Sequence, residues 1–506
     1  MSPSALVTSS PKSRQLELQA EEPHPGPEDP AFLSEAESAP VGAGVRVGLP
    51  ESEARLTSAS DWEAGTQVPR HRAEALVESA YNSGLAVGVG ETASCLAEVE
   101  AVFDRYLFLP DHRPLYMVLG FVAANLLPGD PVWPLLIGPP GSGKTELLRP
   151  LLALPCAHEV ATLTESALLS GTRAQERSKD ASGGLLVQIG SFGIIVAKDF
   201  TSVLSMHRDK RAEILAALRE IHDGSWTRLV GSDGGRGLHW EGKVALIAGV
   251  TQIIDTHHAV TSSMGERFVF YRLSPTDASE QGRRALSQCG NQRAMRQELK
   301  DAVGGLFDGL EIPNEVPTLS SREEARLVAL AEFATTCRSA VERDAYRREI
   351  ELIPEPELPG RLALVFSQLL AGMRLIGVPE SARWEVIVKM ALDSMPALRL
   401  RVLQAVMEAP SRKASEIATS VGYPLSTARR ALEDLAAHGV LLSKRIGRAE
   451  NSGDKWAPSD WTRARWQSIS EMSEDTSSRP SLNNPIPVRE DFSETLSPTQ
   501  QKGGQP

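Results

Sequence analysis

Between about Thr92 and Tyr271, short apolar runs alternate with stretches of helical period. The runs are Leu135-Leu136-Ile137, Gly193 to Ala197 and Val244 to Val250. Runs this short and this apolar read as buried strands. Their alternation with helical patterns, such as Arg208 to His222 with Ile214, Leu215, Leu218 and Ile221 on one face, predicts an α/β layer fold with a mainly parallel sheet. Trp226 to Val230 and Leu238-His239-Trp240 flank Gly231 to Gly237, and read as a β-hairpin. From about Pro275 to Trp466 the pattern is almost wholly helical, closing on a strand-like end at Gly439 to Arg445. The most apolar stretch, Leu362 to Val378, contains Ser367, Gln368 and Arg374, so it is expected as a core helix and not a membrane span.

Composition sets the boundaries. Met1 to Arg70 holds 11 acidic residues, 5 basic residues and 9 prolines, with no sustained apolar period. Such a segment buries too little to offset its ordering entropy. The expected organisation is a disordered tail at 1–90, an ATPase-type core at 91–275, a helical lid at 276–395, a winged helix at 396–468 and a second disordered tail at 469–506. The start lacks the apolar region of an ordinary secretory signal, which predicts a cytoplasmic protein. Four cysteines, far apart and without a C-x-x-C, are expected as reduced thiols. His257-His258 is not expected to bind metal, because adjacent side chains point apart. The formal net charge of −12 means that any nucleic-acid contact must come from a local basic surface.

The strongest chemical signal is Gly138-Pro139-Pro140-Gly141-Ser142-Gly143-Lys144-Thr145, which fills every fixed position of G-x-x-x-x-G-K-[ST] between a strand and a helix. Glycines let backbone N–H groups turn inward around phosphate oxygens, and the helix N-terminus adds its dipole. Lys144 is expected to reach the β- and γ-phosphates of ATP, and the Thr145 hydroxyl to ligate Mg²⁺. Such a site needs an acid on a neighbouring strand, and the candidate is Asp199, which ends the run Gly193 to Ala197. Its position allows either the metal-shell role or the water-orienting role. A second adjacent acid is missing, because Lys198 and Phe200 flank it.

The order of phosphate loop, acidic strand, helix, hairpin, polar-tipped strand and Arg-Phe before a last strand resembles the AAA+ ATPases. The hairpin before the polar-tipped strand resembles the branch of the minichromosome-maintenance and viral replicative helicases, and helicase-like proteins of bacterial mobile elements. The resemblance implies that Thr251, followed by Gln252, is the sensor near the γ-phosphate, that Arg267 is an arginine finger for a neighbouring subunit's nucleotide in a ring-shaped homo-oligomer, and that Arg361 is the lid's sensor arginine. It also implies that Arg236 at the hairpin tip touches DNA.

Nearer the C-terminus, Arg399 to Glu408, Lys413 to Ser420 and a helix capped by Ser426 and ended by Gly439 are followed by Val440 to Arg445 and a return near Lys455-Trp456-Ala457. This resembles bacterial winged-helix regulators. Arg399 to Glu450 carries 9 basic and 5 acidic residues. Ser426, Thr427, Arg429 and Arg430 are expected to meet the groove and phosphates, and Lys444 and Arg445 to meet phosphate from the wing. The expected function is an ATP-driven, helicase-like DNA motor. The alternatives are a nucleotide-gated DNA-binding regulator and a loader of a partner protein.

Overall fold

The computed structural model describes residues 89–172, 183–231, 235–257, 267–274, 276–344, 346–445 and 454–474. The expected tails lie outside these residues except at their inner ends. The chain enters through α1 (Val89–Tyr106) and α2 (Arg113–Leu126). It then forms β1 (Trp133–Ile137), α3 (Lys144–Leu148), β2 (Ala157–Val160), α4 (Glu165–Leu168), α5 (Leu185–Ile189), β3 (Phe192–Ala197), α6 (Thr201–Leu204), α7 (Arg208–His222), the hairpin strands β4 (Ser225–Val230) and β5 (Arg236–Glu241), β6 (Lys243–Val250) and β7 (Phe268–Arg272).

Five of these strands make one all-parallel sheet in the order β2-β3-β6-β1-β7. The pleat explains why the strands read as unbroken apolar runs. Trp133, Leu135, Ile137, Ile195, Leu246 and Phe270 point into a cluster with α5, α6 and α7. Their alternates Leu136, Ile194, Val196, Ile247 and Val269 point into a second cluster built by the helices on the opposite face. With both faces covered, the interior positions of β1, β3, β6 and β7 are apolar, whereas the edge strand β2 carries His158 and Glu159.

The helical region contains α8 (Ala278–Ser287), α9 (Gln292–Asp308), α10 (Ser321–Arg338), a short hairpin of β8 (Glu342–Arg343) and β9 (Ile350–Leu352), α11 (Gly360–Leu375) and α12 (Glu380–Asp393). Helix α10 starts with a reciprocal Ser320/Glu323 capping box. Helix α11 packs on α2 at near backbone contact, because a Cβ on Gly372 would strike Gly120 O and the backbone of Ala124. Gln368 Nε2 donates to Ala124 O at 2.8 Å and Pro128 O at 2.7 Å.

The C-terminal winged helix-turn-helix comprises α13 (Ala397–Glu408), β10 (Arg412–Lys413), α14 (Ala414–Val421), α15 (Leu425–Ala437), β11 (Leu441–Arg445) and β12 (Asp454–Pro458). The three strands pair antiparallel in the order β10-β12-β11. Gly422 and Gly439 end α14 and α15 in the left-handed region at φ +71° and +72°. Val440 N returns to Leu435 O at 2.9 Å, closing a Schellman-type cap. Two expectations are corrected here. Pro424, not Ser426, precedes the first helical residue of α15 and makes no side-chain cap, so Ser426 lies inside the first turn. The tail expected from 469 begins later, because α16 (Asp460–Glu474) continues with Ile469 and Met472 buried.

Candidate nucleotide and nucleic-acid sites

The phosphate loop joins β1 to α3 at the C-terminal edge of the sheet. Gly138 N donates to Val250 O at 3.1 Å, tying the start of the loop to the end of β6. Gly141 and Gly143 take φ +78° and +83°, where only glycine is free of strain. Gly143 is the N-cap of α3, without a side-chain cap. A Cβ built on Gly141 would meet nothing within 4 Å, so the loop leaves open space on that side. Lys144 Nζ donates to Gly138 O and Pro139 O, both at 2.8 Å, and to Ser142 Oγ at 3.3 Å. Burial lowers the pKa of Lys144, while the charge of Asp199 acts to raise it.

Asp199 follows β3 and is exposed at the same edge of the sheet. The expected neighbouring strand is corrected to one strand further out, since β6 lies between β1 and β3. Asp199 Oδ1 accepts from Thr201 N at 2.9 Å, so the carboxylate also caps the next turn. Its flanks are now explained. Lys198 is ion-paired to Glu159 on β2, and Phe200 is buried against Phe268 at 5.5 Å between ring centroids. Neither position offers a second acid. Thr251, at the tip of the intervening β6, donates its backbone N–H to Thr201 Oγ1 at 3.3 Å, which sets it beside the turn that Asp199 begins.

Arg267 is not presented outward as a finger would be. Its side chain is only 11% exposed and grips Asp223 in a bidentate pair, Nε–Oδ1 3.1 Å and Nη2–Oδ2 2.5 Å. Burial works to raise the Asp223 pKa, but the hydrogen bond and charge of Arg267 outweigh it and hold the carboxyl below its ordinary value. Arg361 lies in the first turn of α11, which runs antiparallel to α2, with Gly372 against Gly120 and Ala124 and Gln368 reaching Ala124 and Pro128. Its ion-pair partner is Glu357, at 3.9 Å.

Other groups border the loop, and none carries a motif. Gln281 on α8 donates Nε2 to Gly141 O at 3.1 Å. Arg296 on α9 holds Glu146, the third residue of α3, at 2.7 Å. Arg284 donates to the terminal carbonyls of α1, Asp104 O at 2.7 Å and Arg105 O at 3.1 Å. With Asp104, Leu107 to Asp111 and His112 it lines an open pocket of about 380 Å³. This lies in the lead-in to β1, between α1 and α2. Asp255, in the turn after Thr251, accepts two bonds of 2.8 Å from Arg272 at the end of β7 and one of 3.1 Å from Ala397 N, the first residue of α13.

The β4–β5 hairpin rests on Trp226 and Trp240, which are cross-strand partners and both buried. Trp240 Nε1 donates to Gly190 O at 2.9 Å. Arg236 is exposed on the distal pair, opposite Val230; the turn at 232–234 lies outside the described residues. In the winged helix, Ala428, Ala431, Leu432 and Leu435 are buried, while Ser426, Arg429 and Arg430 are exposed and Thr427 is half-buried. Arg429 is engaged with Glu433 at 3.1 Å and with Asp454 at 3.8 Å. Lys444 is exposed on β11; the side chain of Arg445 lies outside the description. The register reveals two lysines that the sequence did not. Lys413 lies opposite Lys455, and Lys455 opposite Lys444, so three ammonium groups form one row across the sheet. Like charges in direct cross-strand pairs are destabilising unless an anion offsets them.

Residues 400–443, from α13 into β11, match the IclR helix-turn-helix domain family. No curated protein sequence matches the chain. Among solved structures, the chain is similar to the ORC1 protein of Aeropyrum pernix in complex with DNA, at 16% identity, covering 73% of this chain and 96% of that one, with a TM-score of 0.23. It is similar to the apo A form of the NrS-1 C-terminal region at 14% identity, covering 47% of this chain and 54% of that one, so it spans about half of that relative. A second chain of the NrS-1 region gives 13% identity over 71% of this chain and 74% of that one; both NrS-1 scores are 0.23. Likeness at this level says nothing of activity. Among the described residues, no helix is long and apolar enough to cross a membrane.

Proposed function

We propose that this chain is an AAA+-type ATPase that acts on DNA through its winged helix, as a helicase-like or replication motor. The observation that carries the reading is the phosphate loop itself: two left-handed glycines, of which Gly141 opens on free space, a helix start without a side-chain cap, and Lys144 folded over the loop carbonyls at the same sheet edge as Asp199. A triphosphate with its magnesium fits this donor set. The backbone N–H groups of Gly141 to Thr145 and the Lys144 ammonium suit phosphate oxygens, and the Thr145 hydroxyl and Asp199 carboxylate are hard oxygen donors suited to Mg²⁺. When bound, ATP supplies the phosphoanhydride to be cleaved. Lys144 would neutralise charge on the phosphoryl oxygens, Thr251 would orient at the γ-end, and Asp199 would hold the metal shell or orient the attacking water.

DNA is proposed to meet the exposed face of α15 at Ser426, Thr427, Arg429 and Arg430, and the lysine row Lys413, Lys444 and Lys455, whose mutual repulsion a phosphate backbone relieves. For Arg267 to serve a neighbouring subunit in a ring, it must first leave Asp223.

A second reading, a nucleotide-gated DNA-binding switch with slow turnover, is favoured by the flanks of Asp199, where Lys198 is tied to Glu159 and Phe200 is buried. One experiment tests both. ATP binding and ATP turnover are measured with and without duplex and single-stranded DNA for wild type, Lys144→Ala and Asp199→Asn. The motor reading expects DNA-stimulated turnover that both variants lose; the switch reading expects binding lost in Lys144→Ala and negligible turnover throughout. Wild-type protein that neither binds nor hydrolyses ATP overturns the assignment.

A further inference from the structure

The β8–β9 hairpin was no part of the sequence argument, and it sits against the recognition helix. Arg343 on β8 is nearly buried and reaches three residues of α15: Asp434 Oδ1 at 2.7 Å, Glu433 Oε2 at 3.2 Å and Arg430 O at 3.3 Å. The segment leading into the hairpin is seated on the same domain. Arg399 of α13 donates to Ser339 O at 2.6 Å and to Asp434 at 3.1 Å, and the His438 ring is 3.1 Å from Ala340 O. The hairpin is therefore built into the winged helix, although it lies some 50 residues before that domain's first helix.

Its tip turns tightly. Asp344 Oδ1 accepts from Tyr346 N at 2.9 Å and Arg347 N at 2.5 Å, so this carboxylate is consumed by the turn. Arg348 closes the turn at φ +62°, in the left-handed region where glycine or asparagine is usual. Its carbonyl accepts from Arg343 Nη1 at 2.8 Å, folding the tip back over the anchoring residue. What this strained turn presents is Tyr346, 95% exposed, with Arg347 and Arg348, both exposed. Neither arginine makes an ion pair among the described residues. Glu342 and Glu351 lie on the strands, while Glu349 borders the tip directly after Arg348, so the described tip offers two arginines and a tyrosine beside one exposed acid.

Position identifies the occupant. Residues of α15 are spaced by ~100° around the helix axis. Arg343 grips both Glu433 and Asp434, which straddle the direction of Ser426 and Arg430, so the hairpin is anchored on that same face, one turn beyond Arg430 toward the C-terminus of α15. Arg429 turns toward β12 of the wing on one flank of the face. At ~3.3 Å per residue the tip is about 10–17 Å of chain from Arg343, comparable with the ~12 Å width of the major groove. We propose that Tyr346, Arg347 and Arg348 form a second DNA-contacting element, holding the duplex backbone beside the C-terminal end of the exposed face of α15. The arginines neutralise phosphates and the tyrosine packs on the sugar edge.

This rests on α15 being a DNA-contacting helix, and the test separates the two claims. Affinity of the full chain for a fluorescein-labelled mixed-sequence duplex is measured by anisotropy over a salt series. The variants are Arg430→Ala, Arg347→Ala with Arg348→Ala, Tyr346→Ala, and Arg348→Gly, which relieves the left-handed backbone and so keeps the fold. The expected result is a log–log salt slope shallower by about 1.8 in the double variant, at ~0.9 per phosphate contact, and by about half of that in Arg348→Gly despite equal or higher thermal stability. Tyr346→Ala lowers affinity at every salt concentration without changing the slope. If Arg430→Ala weakens binding while the tip variants leave slope and affinity unchanged, the hairpin proposal is wrong and the DNA reading of α15 stands. If wild type binds no duplex, both are overturned.

Discussion

The contact between Asp255 and Arg272 is a direct polar link between the turn after Thr251 and the start of the winged helix, and its loss can be predicted in size. Asp255 lies four residues after Thr251. Arg272 donates Nη1 and Nη2 to its two oxygens at 2.8 Å each, Nε to Asp393 O at 3.2 Å and Nη2 to Met395 O at 3.2 Å. The Asp255 carboxylate also holds Ala397 N at 3.1 Å. The side chains are 15% and 23% exposed, so the pair is mostly but not wholly desolvated. Breaking a fully buried ion pair by removing one partner costs ~3–5 kcal/mol. Arg272→Met keeps much of the stem, but it strands two carbonyls and leaves Asp255 with one amide donor. Allowing for residual solvation, the expected loss is about 2–4 kcal/mol. Asp255→Asn preserves shape and loses charge, at about 1–2 kcal/mol. Urea denaturation of both single variants and the double variant should give a coupling energy above ~1 kcal/mol. In parallel, ATP and DNA affinities measured separately should stay within a few-fold of wild type in Arg272→Met, while the effect of one ligand on the other collapses. A coupling energy below ~0.5 kcal/mol, or an unchanged mutual effect of ATP and DNA, would refute the reasoning.

Two further outcomes follow from packing and burial. Gly372→Ala should destabilise by about 2–3 kcal/mol even after its gain in helix propensity, because the new methyl meets backbone atoms, among them Ala124 Cα at 2.7 Å, that cannot step aside; Gly120→Ala should cost less, ~1–2 kcal/mol, since its obstacle is Cγ of the buried Met373, which can move only by shifting that rotamer, and thermal melts of the pair check the order. Burial lowers Lys243 from 10.5 to about 8, against the raising effect of Asp130. With the folded pKa below the unfolded one, the unfolded chain holds more protons between those values, so folding is penalised below about pH 8 and the penalty fades by pH 10.5. The penalty is worth up to ~3 kcal/mol, less ~1 kcal/mol for the bond from Nζ to Leu127 O, so Lys243→Met should stabilise by about 1–2 kcal/mol at pH 7 and not at all above pH 10.5, as read by denaturant midpoints across pH.

What could be read in the sequence was local. The phosphate loop is a contiguous pattern whose glycine positions are dictated by backbone turning. The buried strands declare themselves because both faces of a parallel sheet are covered. The winged helix shows through helix periodicity and the terminal Gly439. What escaped depends on direction and register. The run of α11 along α2 is set by Gly372 against Gly120, a contact between residues some 250 positions apart. The row Lys413, Lys455 and Lys444 exists only once two strand registers are known. Gln281, Arg296 and Arg272 act through single long-range contacts that no spacing encodes. Arg267 was placed correctly before its strand, but its partner Asp223 ends a different helix.

The winged helix is fused to the α/β core, not tethered to it, and this constrains any mechanism. One apolar cluster runs from Leu96 and α2 through α9 to α12 and on to Leu432, Trp456 and Met472. Helix α16 folds back so that Trp461 stacks on Phe333 at 5.8 Å between centroids, and Arg465 pairs with Glu332 at 2.6 Å, clamping the C-terminal domain to α10. A swinging domain would have to break this core, whose apolar contacts are individually small but collectively large. On the proposed function, nucleotide-dependent control of DNA within one chain would pass through small polar joints at the sheet edge. Among these, the Asp255 carboxylate touches both the turn that follows Thr251 and the first residue of the winged helix.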